Sequence, residues 1–153
     1  MAGTEHQGWD YAVPDLFKNA TWAVTLKDDT HLEDFTVLKS IIEELGAKTV
    51  LTTPQEHDKA VALISHAPML VAQALCANIV GNDLAQKLAA SGFRDTTRLA
   101  MSNVEMANDM IVMNKDNIKD VVSMLNSNIE QFFNSDYKAK AAEIKSFREE
   151  LYR

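Results

Sequence analysis

One short segment, Gly92 to Arg98 with the sequence GFRDTTR, carries residue types suited to binding a small anion. Arg94 and Arg98 lie four residues apart, so a helix through them would project both guanidinium groups from one face. Arginine binds a carboxylate through two parallel hydrogen bonds, and Gly92 suits an N-cap or a point of close approach. The alternative is two solvated arginines, with Asp95 forming a local ion pair.

His66 is the second candidate, and it lies in the sequence Ile64–Pro68 (ISHAP) within the most apolar part of the chain. A buried imidazole needs hydrogen-bond partners for both ring nitrogens. Pro68 has no N–H, so it leaves a backbone carbonyl nearby that could be one partner. Two interpretations stay open: a core histidine with both nitrogens satisfied, and a donor that lines a pocket.

Composition excludes several classes of function. The chain has 153 residues with 22 Asp+Glu against 15 Lys+Arg, and its net charge of -7 argues against nucleic acid as a partner. Cys76 is the one cysteine, which is typical of a reducing, cytoplasmic compartment. Residues 1–20 lack the pattern of a signal peptide. Polar residues interrupt the apolar stretch 60–80, so we expect no membrane span.

The sequence also lacks the common metal and nucleotide motifs. His57 and His66 are nine residues apart, unlike the spacing of a zinc-binding His pair, so we expect no metal site. The five glycines never form GxGxxG or GxxxxGK[ST]. These residues therefore contain no recognisable nucleotide site of their own.

The first 54 residues predict a β-α-β unit. Thr21–Thr25 and Thr49–Thr53 are β-branched runs typical of strands. Between them, Leu32–Leu45 has apolar residues spaced by three and four, which indicates a helix that ends at Gly46. Two strands alone make no stable sheet, so this unit either docks on the rest of the chain or is the tail of a larger sheet. We favour the second alternative.

From Pro54 onward the pattern predicts helices. The longest apolar stretch predicts one buried helix over Gln55–Val80, kinked near Ile64 because Pro68 cannot donate. A later heptad pattern indicates a long apolar stripe, either packed against a second copy or forming a plain intramolecular core. The stripe contains Ile111, Ile118, Val122, Leu125, Ile129 and Phe132.

The order of the motifs resembles the C-terminal portion of prephenate and arogenate dehydrogenases, the TyrA family. The segments that carry the resemblance are Met1–Glu5, Asp15–Phe17, Trp22–Thr25, Gly46–Lys48, Glu56–Asp58, Ile64–Pro68, Gly92–Arg98 and Asn114. The resemblance implies a mainly α fold: a helical dimerisation and substrate-binding domain at 55–153. A small β-α-β remnant of an α/β nucleotide-binding domain would precede it at 1–54.

The family oxidises and decarboxylates prephenate or arogenate with NAD or NADP, in tyrosine biosynthesis. It uses a catalytic histidine in a His-Pro-(Met/Ile)-Ala-Gly-(Ser/Thr)-Glu motif, and this sequence starts at the Met of that motif. The resemblance therefore implies no catalytic histidine within these residues, and neither cofactor binding nor activity by this chain alone. NAD versus NADP, prephenate versus arogenate, and inhibition by tyrosine stay undecided.

The resemblance also implies roles for particular residues. Arg98 would bind a substrate carboxylate, Arg94 and Asp95 with Gly92 would line the same pocket, and His66 would hydrogen-bond the substrate. Gly3 and Glu5 would flank the catalytic histidine, Gly3 weakly on the cofactor side and Glu5 as a gate. The implied partners are a second copy of the chain and a small anionic substrate.

The sequence departs from the family at two places. Met69 stands where the family usually has a second histidine, and Met106-Ala107 stands where it often has Leu-Trp. These changes put in doubt a pocket wall or a dimer contact. A stand-alone module that senses an aromatic acid is the alternative function, and a helical interaction module is a third.

Overall fold

A computed structural model of the chain describes residues 8–26 and 31–153, so Gly3 and Glu5 lie outside the described residues. The N-terminal unit contains strand β1 (Thr21–Thr25), helix α1 (Leu32–Glu44) and strand β2 (Lys48–Thr52). The strands pair in parallel, with Thr21 opposite Lys48 and Thr25 opposite Thr52. The predicted β-α-β unit is therefore confirmed, to within one residue at each strand.

Gly46 ends α1 as predicted, with a φ of 75° that glycine adopts without strain. Ile42, a residue of α1, is completely buried. Neighbouring residues of a strand point to opposite faces of a sheet, yet Val50 and Leu51 are 50% and 54% exposed. Each face of this two-stranded sheet therefore carries a half-exposed apolar side chain in the part of the chain that the structure describes.

The remainder of the chain is helical. The elements are α2 (Pro54–Val61), a π-helical turn (Ala62–His66), α3 (Ala67–Asn78), α4 (Asp83–Leu88), α5 (Ser91–Thr96), a 3-10 turn (Arg98–Met101), α6 (Val104–Met113), α7 (Lys115–Asn134) and α8 (Tyr137–Leu151). The mainly α fold with a small leading β-α-β unit agrees with the expectation from the sequence.

The expected single helix over Gln55–Val80 is divided by the π-helical turn. Thr53 caps α2 through a reciprocal bond with Glu56, and Pro54 occupies the first turn, where its missing N–H costs nothing. The amide of Ala67 bonds to the carbonyl of Ala62, five residues back. The wider turn ends just before Pro68, which has no N–H to donate, so the chain changes hydrogen-bond register where a kink was predicted.

Three of the later helices begin at a residue whose side chain accepts from the helix backbone. Asn82 caps α4 by accepting from the amide of Ala85. Asn103 caps α6 by accepting from the amide of Met106. Asp136 caps α8 by accepting from the amides of Lys138 and Ala139.

A small core joins α2, the π-helical turn, α3, α6 and α7. Its most buried members are Val61, Ala62, Ala67, Met69, Ala72, Ala107 and Ile118. The chain exposes 12323 Å², whereas a compact monomer of its mass exposes about 7,700 Å². Much apolar surface is therefore uncovered in one copy of the chain.

The apolar stripe predicted over the last third does not form one continuous helix. Asn114 separates α6 from α7, so Ile111 and Ile118 lie on different helices. Ile118 is 3% exposed, whereas Ile129 is 42% exposed. Only the beginning of the stripe packs into the core of this chain.

By length and composition one segment of the described residues could span a membrane, so the expectation that there is none is wrong. Pro54–Asn78, counted as one helix of 25 residues, has a window of mean hydropathy 1.7. The core helix of a globular protein passes the same test, and Ala62 and Ala67 in its middle are almost completely buried. The π-helical turn of this segment packs against α7, and 28% of the apolar window is buried in one copy of the chain.

Candidate functional site

A cavity of about 560 Å³ opens between the start of the long apolar segment and the α6–α7 junction. Its lining combines a histidine, two carboxylates, an amide and three methionines. These residues are Asp58, His66, Met106, Asp109, Met110, Met113 and Asn114. Met106, Met110 and Met113 are spaced by four and three, which places them on one face of α6. The cavity therefore offers an apolar wall beside a few polar groups, which is typical of small-molecule sites.

Asn114 is the centre of the polar network in this cavity. Its side chain is 7% exposed. Its Nδ2 donates to the backbone carbonyl of Asp58 at 2.7 Å and lies 3.2 Å from Nδ1 of His66. Its Oδ1 accepts from Nδ2 of Asn117 at 2.7 Å. The amide is thus held by α2, the π-helical turn and α7 together.

His66 is half-buried at the end of the π-helical turn. Burial lowers the pKa of its imidazole, and the nearby Asp58 carboxylate opposes that shift, while His57 adds to it. The ring is therefore neutral near neutral pH. Of the two alternatives for His66, the cavity favours the residue that lines a pocket.

The structure separates the arginines from this cavity. Arg94 lies in α5, whereas Arg98 begins the following 3-10 turn, so they do not share one helical face as expected. Nε of Arg94 pairs with Asp95 at 3.3 Å, and both side chains are largely exposed, as the local-pair alternative predicted. Arg98 is also exposed, and its turn packs against α3.

Two threonines at the end of α5 bond back to its first turn. The hydroxyls of Thr96 and Thr97 donate to the carbonyls of Gly92 and Phe93, at 2.8 and 2.7 Å. Thr36 makes the same kind of bond within the uninterrupted helix α1, so these bonds alone do not end α5. Gly92 is not the N-cap, which is Ala90, and a Cβ added at Gly92 would meet open space. The N-cap expected at Gly92 is therefore wrong, and its expected role as a point of close approach stays a prediction.

Sequence reasoning missed the polar network around His66. Asn114 belonged to the motif order but was given no role, and Asp58 and Asp109 were not candidates. The one available signal was an asparagine that interrupts the apolar heptad between Ile111 and Ile118. Met69, at the position of the family's second histidine, is 3% exposed and packs in the core.

Residues 8–26 and 31–153 contain no group of three His, Cys, Asp or Glu arranged to hold a metal ion. The expectation that a dinucleotide needs residues beyond these stays a prediction.

The chain folds as a helical domain with a cavity at His66, preceded by a small β-α-β unit. Two family descriptions match: the prephenate dehydrogenase nucleotide-binding domain over residues 1–51, and the prephenate dehydrogenase dimerization domain over residues 53–148. The second covers 96 of the 153 residues. The chain therefore belongs to the prephenate dehydrogenase family.

Individual relatives agree with that assignment. A prephenate dehydrogenase of Bacillus subtilis is 36% identical over 124 residues, which are 78% of this chain and 33% of the relative. A cyclohexadienyl dehydrogenase of Zymomonas mobilis is 29% identical over 119 residues, which are 74% of this chain and 41% of the relative. The chain thus spans less than half the length of either relative.

Solved structures share the fold. Arogenate dehydrogenase of Synechocystis superposes with a TM-score of 0.74 at 35% identity, over 97% of this chain and 56% of that one. Prephenate dehydrogenase of Aquifex aeolicus, solved with hydroxyphenyl propionate and NAD+, gives 0.79 at 24% identity, over 99% and 55%. The second comparison supports the fold alone.

We predict that His66 titrates with a midpoint below 6.5, the ordinary value for histidine, because burial disfavours its charged form. The measurement is the Cε1–H resonance of His66 followed by NMR between about pH 5 and 8. A His66→Gln variant assigns the resonance. A midpoint above 6.5 would contradict the described burial.

Proposed function

We propose that this chain is part of a prephenate or arogenate dehydrogenase, which oxidatively decarboxylates its substrate with NAD or NADP. Family membership and the names of the relatives support the reaction. The observation that carries the proposal for this chain is the cavity at His66, where a neutral imidazole faces an apolar wall. The chain would contribute substrate binding and dimerisation to the enzyme.

The substrate chemistry suits the residues at hand. Prephenate carries two carboxylates, and Arg98 has an exposed guanidinium that can bind one of them bidentately. His66 would donate a hydrogen bond to a substrate oxygen. Arg94 and Asp95 would border the same substrate, and Gly92 leaves open space beside them.

We assign the nucleotide-binding role to a domain of which residues 1–54 are the tail, and substrate binding to residues 55–153. NAD or NADP, when bound, accepts hydride from the substrate. Further strands would pair with the backbone edges of the two-stranded sheet, and further elements would cover its partly exposed faces. Gly3 and Glu5 keep their proposed places beside the catalytic histidine, Glu5 as a gate.

A second copy of the chain is the proposed cover for the apolar stripe. The family's domain is described as a dimerization domain. On α7, Ile129 of the stripe is 42% exposed, and Phe133, one turn further along the same side, is 77% exposed. An exposed apolar helix face of this kind is stable in water when a partner buries it. The exposure of Ile129 supports a second copy rather than a plain intramolecular core.

We predict that Arg98→Ala weakens prephenate binding about tenfold to a hundredfold. A charged hydrogen-bonded pair contributes about 1.5–3 kcal/mol, and 1.4 kcal/mol is about tenfold. Isothermal titration calorimetry with prephenate measures the change. Arg148→Ala is the matched control, since Arg148 lies on α8 over the ring of Tyr152.

Equal loss in both arginine variants would argue against a specific carboxylate contact. If the unmodified chain binds tyrosine more tightly than prephenate, the sensor of an aromatic acid replaces the enzyme as the favoured function.

We predict that Ile129→Glu converts the dimer to monomer at micromolar concentration. An unpaired carboxylate buried in an apolar interface costs several kcal/mol, so dimer affinity should fall more than about a hundredfold. Sedimentation velocity measures the mass. Ser127→Glu adds the same charge to an exposed position of the same helix and should stay dimeric. A monomeric unmodified chain would refute the proposal.

We expect no NAD- or NADP-dependent turnover of prephenate by the 153-residue chain alone. No dinucleotide fingerprint occurs in its sequence. Absorbance of the reduced cofactor measures turnover. Activity that is present in the unmodified chain and falls in Arg98→Ala would contradict this expectation, because a contaminating host enzyme would not respond to the substitution.

A further inference from the structure

We propose that Asn114 is a positioning residue that holds His66 in the tautomer with its proton on Nε2. His66 is thereby fixed as a hydrogen-bond donor toward the cavity. The identity of the substrate that accepts this hydrogen bond rests on the proposed function, whereas the tautomer is a property of the ligand-free chain. The network on which the inference depends comprises Asp58, His66, Asn114 and Asn117.

The first step is the orientation of the Asn114 amide. The backbone carbonyl of Asp58 can only accept, and it lies 2.7 Å from Nδ2 of Asn114. Rotating the amide by half a turn would bring two oxygens together there. Oδ1 accepts from Asn117 at 2.7 Å on the other side. The NH2 group must therefore face α2 and His66.

The second step is the protonation of His66. One N–H of Asn114 is used by the Asp58 carbonyl, and the other is directed at Nδ1 of His66, 3.2 Å away. Two N–H donors cannot bond to each other, so Nδ1 presents its lone pair. A neutral imidazole then carries its single proton on Nε2. Among the described residues Nε2 has no hydrogen-bond partner, so its donor is available to a ligand.

The charged groups around the ring define the pH range in which this holds. Asp58 favours the imidazolium, while His57 and burial disfavour it, and the net direction of the His66 pKa is downward. Asp109 lines the cavity from α6. A protonated ring would have to turn its Nδ1–H against the Asn114 amide, which adds a steric and electrostatic reason for the neutral form.

The consequence for ligand choice is specific. A fixed Nε2–H donates to a ligand atom that can accept a hydrogen bond, such as a carboxylate, carbonyl or hydroxyl oxygen. An ammonium group at the same place would be rejected, because it can only donate. The other tautomer would present an acceptor and reverse that preference. Asn114 therefore controls the specificity of the cavity without contacting the ligand through its own donors.

Long-range proton–nitrogen NMR of the histidine rings in the ligand-free chain tests the inference. At about pH 7.5 the unmodified chain should show Nδ1 of His66 unprotonated and Nε2 protonated. In Asn114→Asp the carboxylate can only accept, so the proton should move to Nδ1. The same carboxylate should raise the midpoint of the His66 titration by about one pH unit or more.

Asn82→Asp is the matched control, because it makes the same chemical change at the cap of α4 and keeps the accepting oxygen. It should leave the His66 spectrum unchanged. If Asn114→Asp does not fold by circular dichroism, Asn114→Ala replaces it, and averaged nitrogen shifts from a mixture of tautomers are expected.

A proton on Nδ1 in the unmodified chain would overturn the inference without any variant. An unchanged tautomer in both Asn114 variants would overturn it as well. Because no ligand is present, these outcomes are separate from the failure of prephenate to bind, which would count against the proposed function alone.

Discussion

The hydrogen bond from Asn114 to the carbonyl of Asp58 constrains the whole site. It joins residues 56 positions apart in the sequence, at a length of 2.7 Å. The carbonyl is an acceptor only, so it fixes which way the amide turns, and the amide in turn fixes His66. The small core of Ala62, Ala67 and Ile118 holds the helices close enough for this contact.

Local sequence signals predicted the elements well because their causes are local. The β-branched run at Thr21–Thr25 and the apolar spacing of α1 depend on residues a few positions apart. Thr53 and Pro54 likewise favour a helix start at their own position. The predicted kink rested on the N–H that Pro68 lacks. In the structure a π-helical turn accommodates the missing N–H, and this turn packs against α6 and α7.

The site was less predictable because its contacts are distant in the sequence. His66 was a candidate from its apolar surroundings, but its partner Asn114 lies on another helix. The prediction for the arginines was wrong even though the two residues are close in the sequence. Their spacing suggested one helical face, while α5 ends at Thr96 and Arg98 lies in the following 3-10 turn. The resemblance to prephenate dehydrogenases supplied what spacing could not, namely a reason to connect His66 with Arg98.

Uncovered surface is the second constraint on the chain. Sheet residues such as Leu51 and helix residues such as Phe133 are exposed to an extent that one copy does not stabilise. The family's nucleotide-binding and dimerization domains offer a cover for each of these surfaces. The small core and the large open faces thus have one common explanation, a chain that belongs within a larger assembly.

We propose that His66 and Arg98 bind the same substrate, with Arg98 outside the residues that line the cavity in the ligand-free chain. An NMR titration with prephenate that follows the His66 Cε1–H and the Arg98 Nε–H resonances together measures both contacts. Both resonances should shift along one binding curve with a single midpoint. A response from only one of them, or two curves with different midpoints, would contradict it.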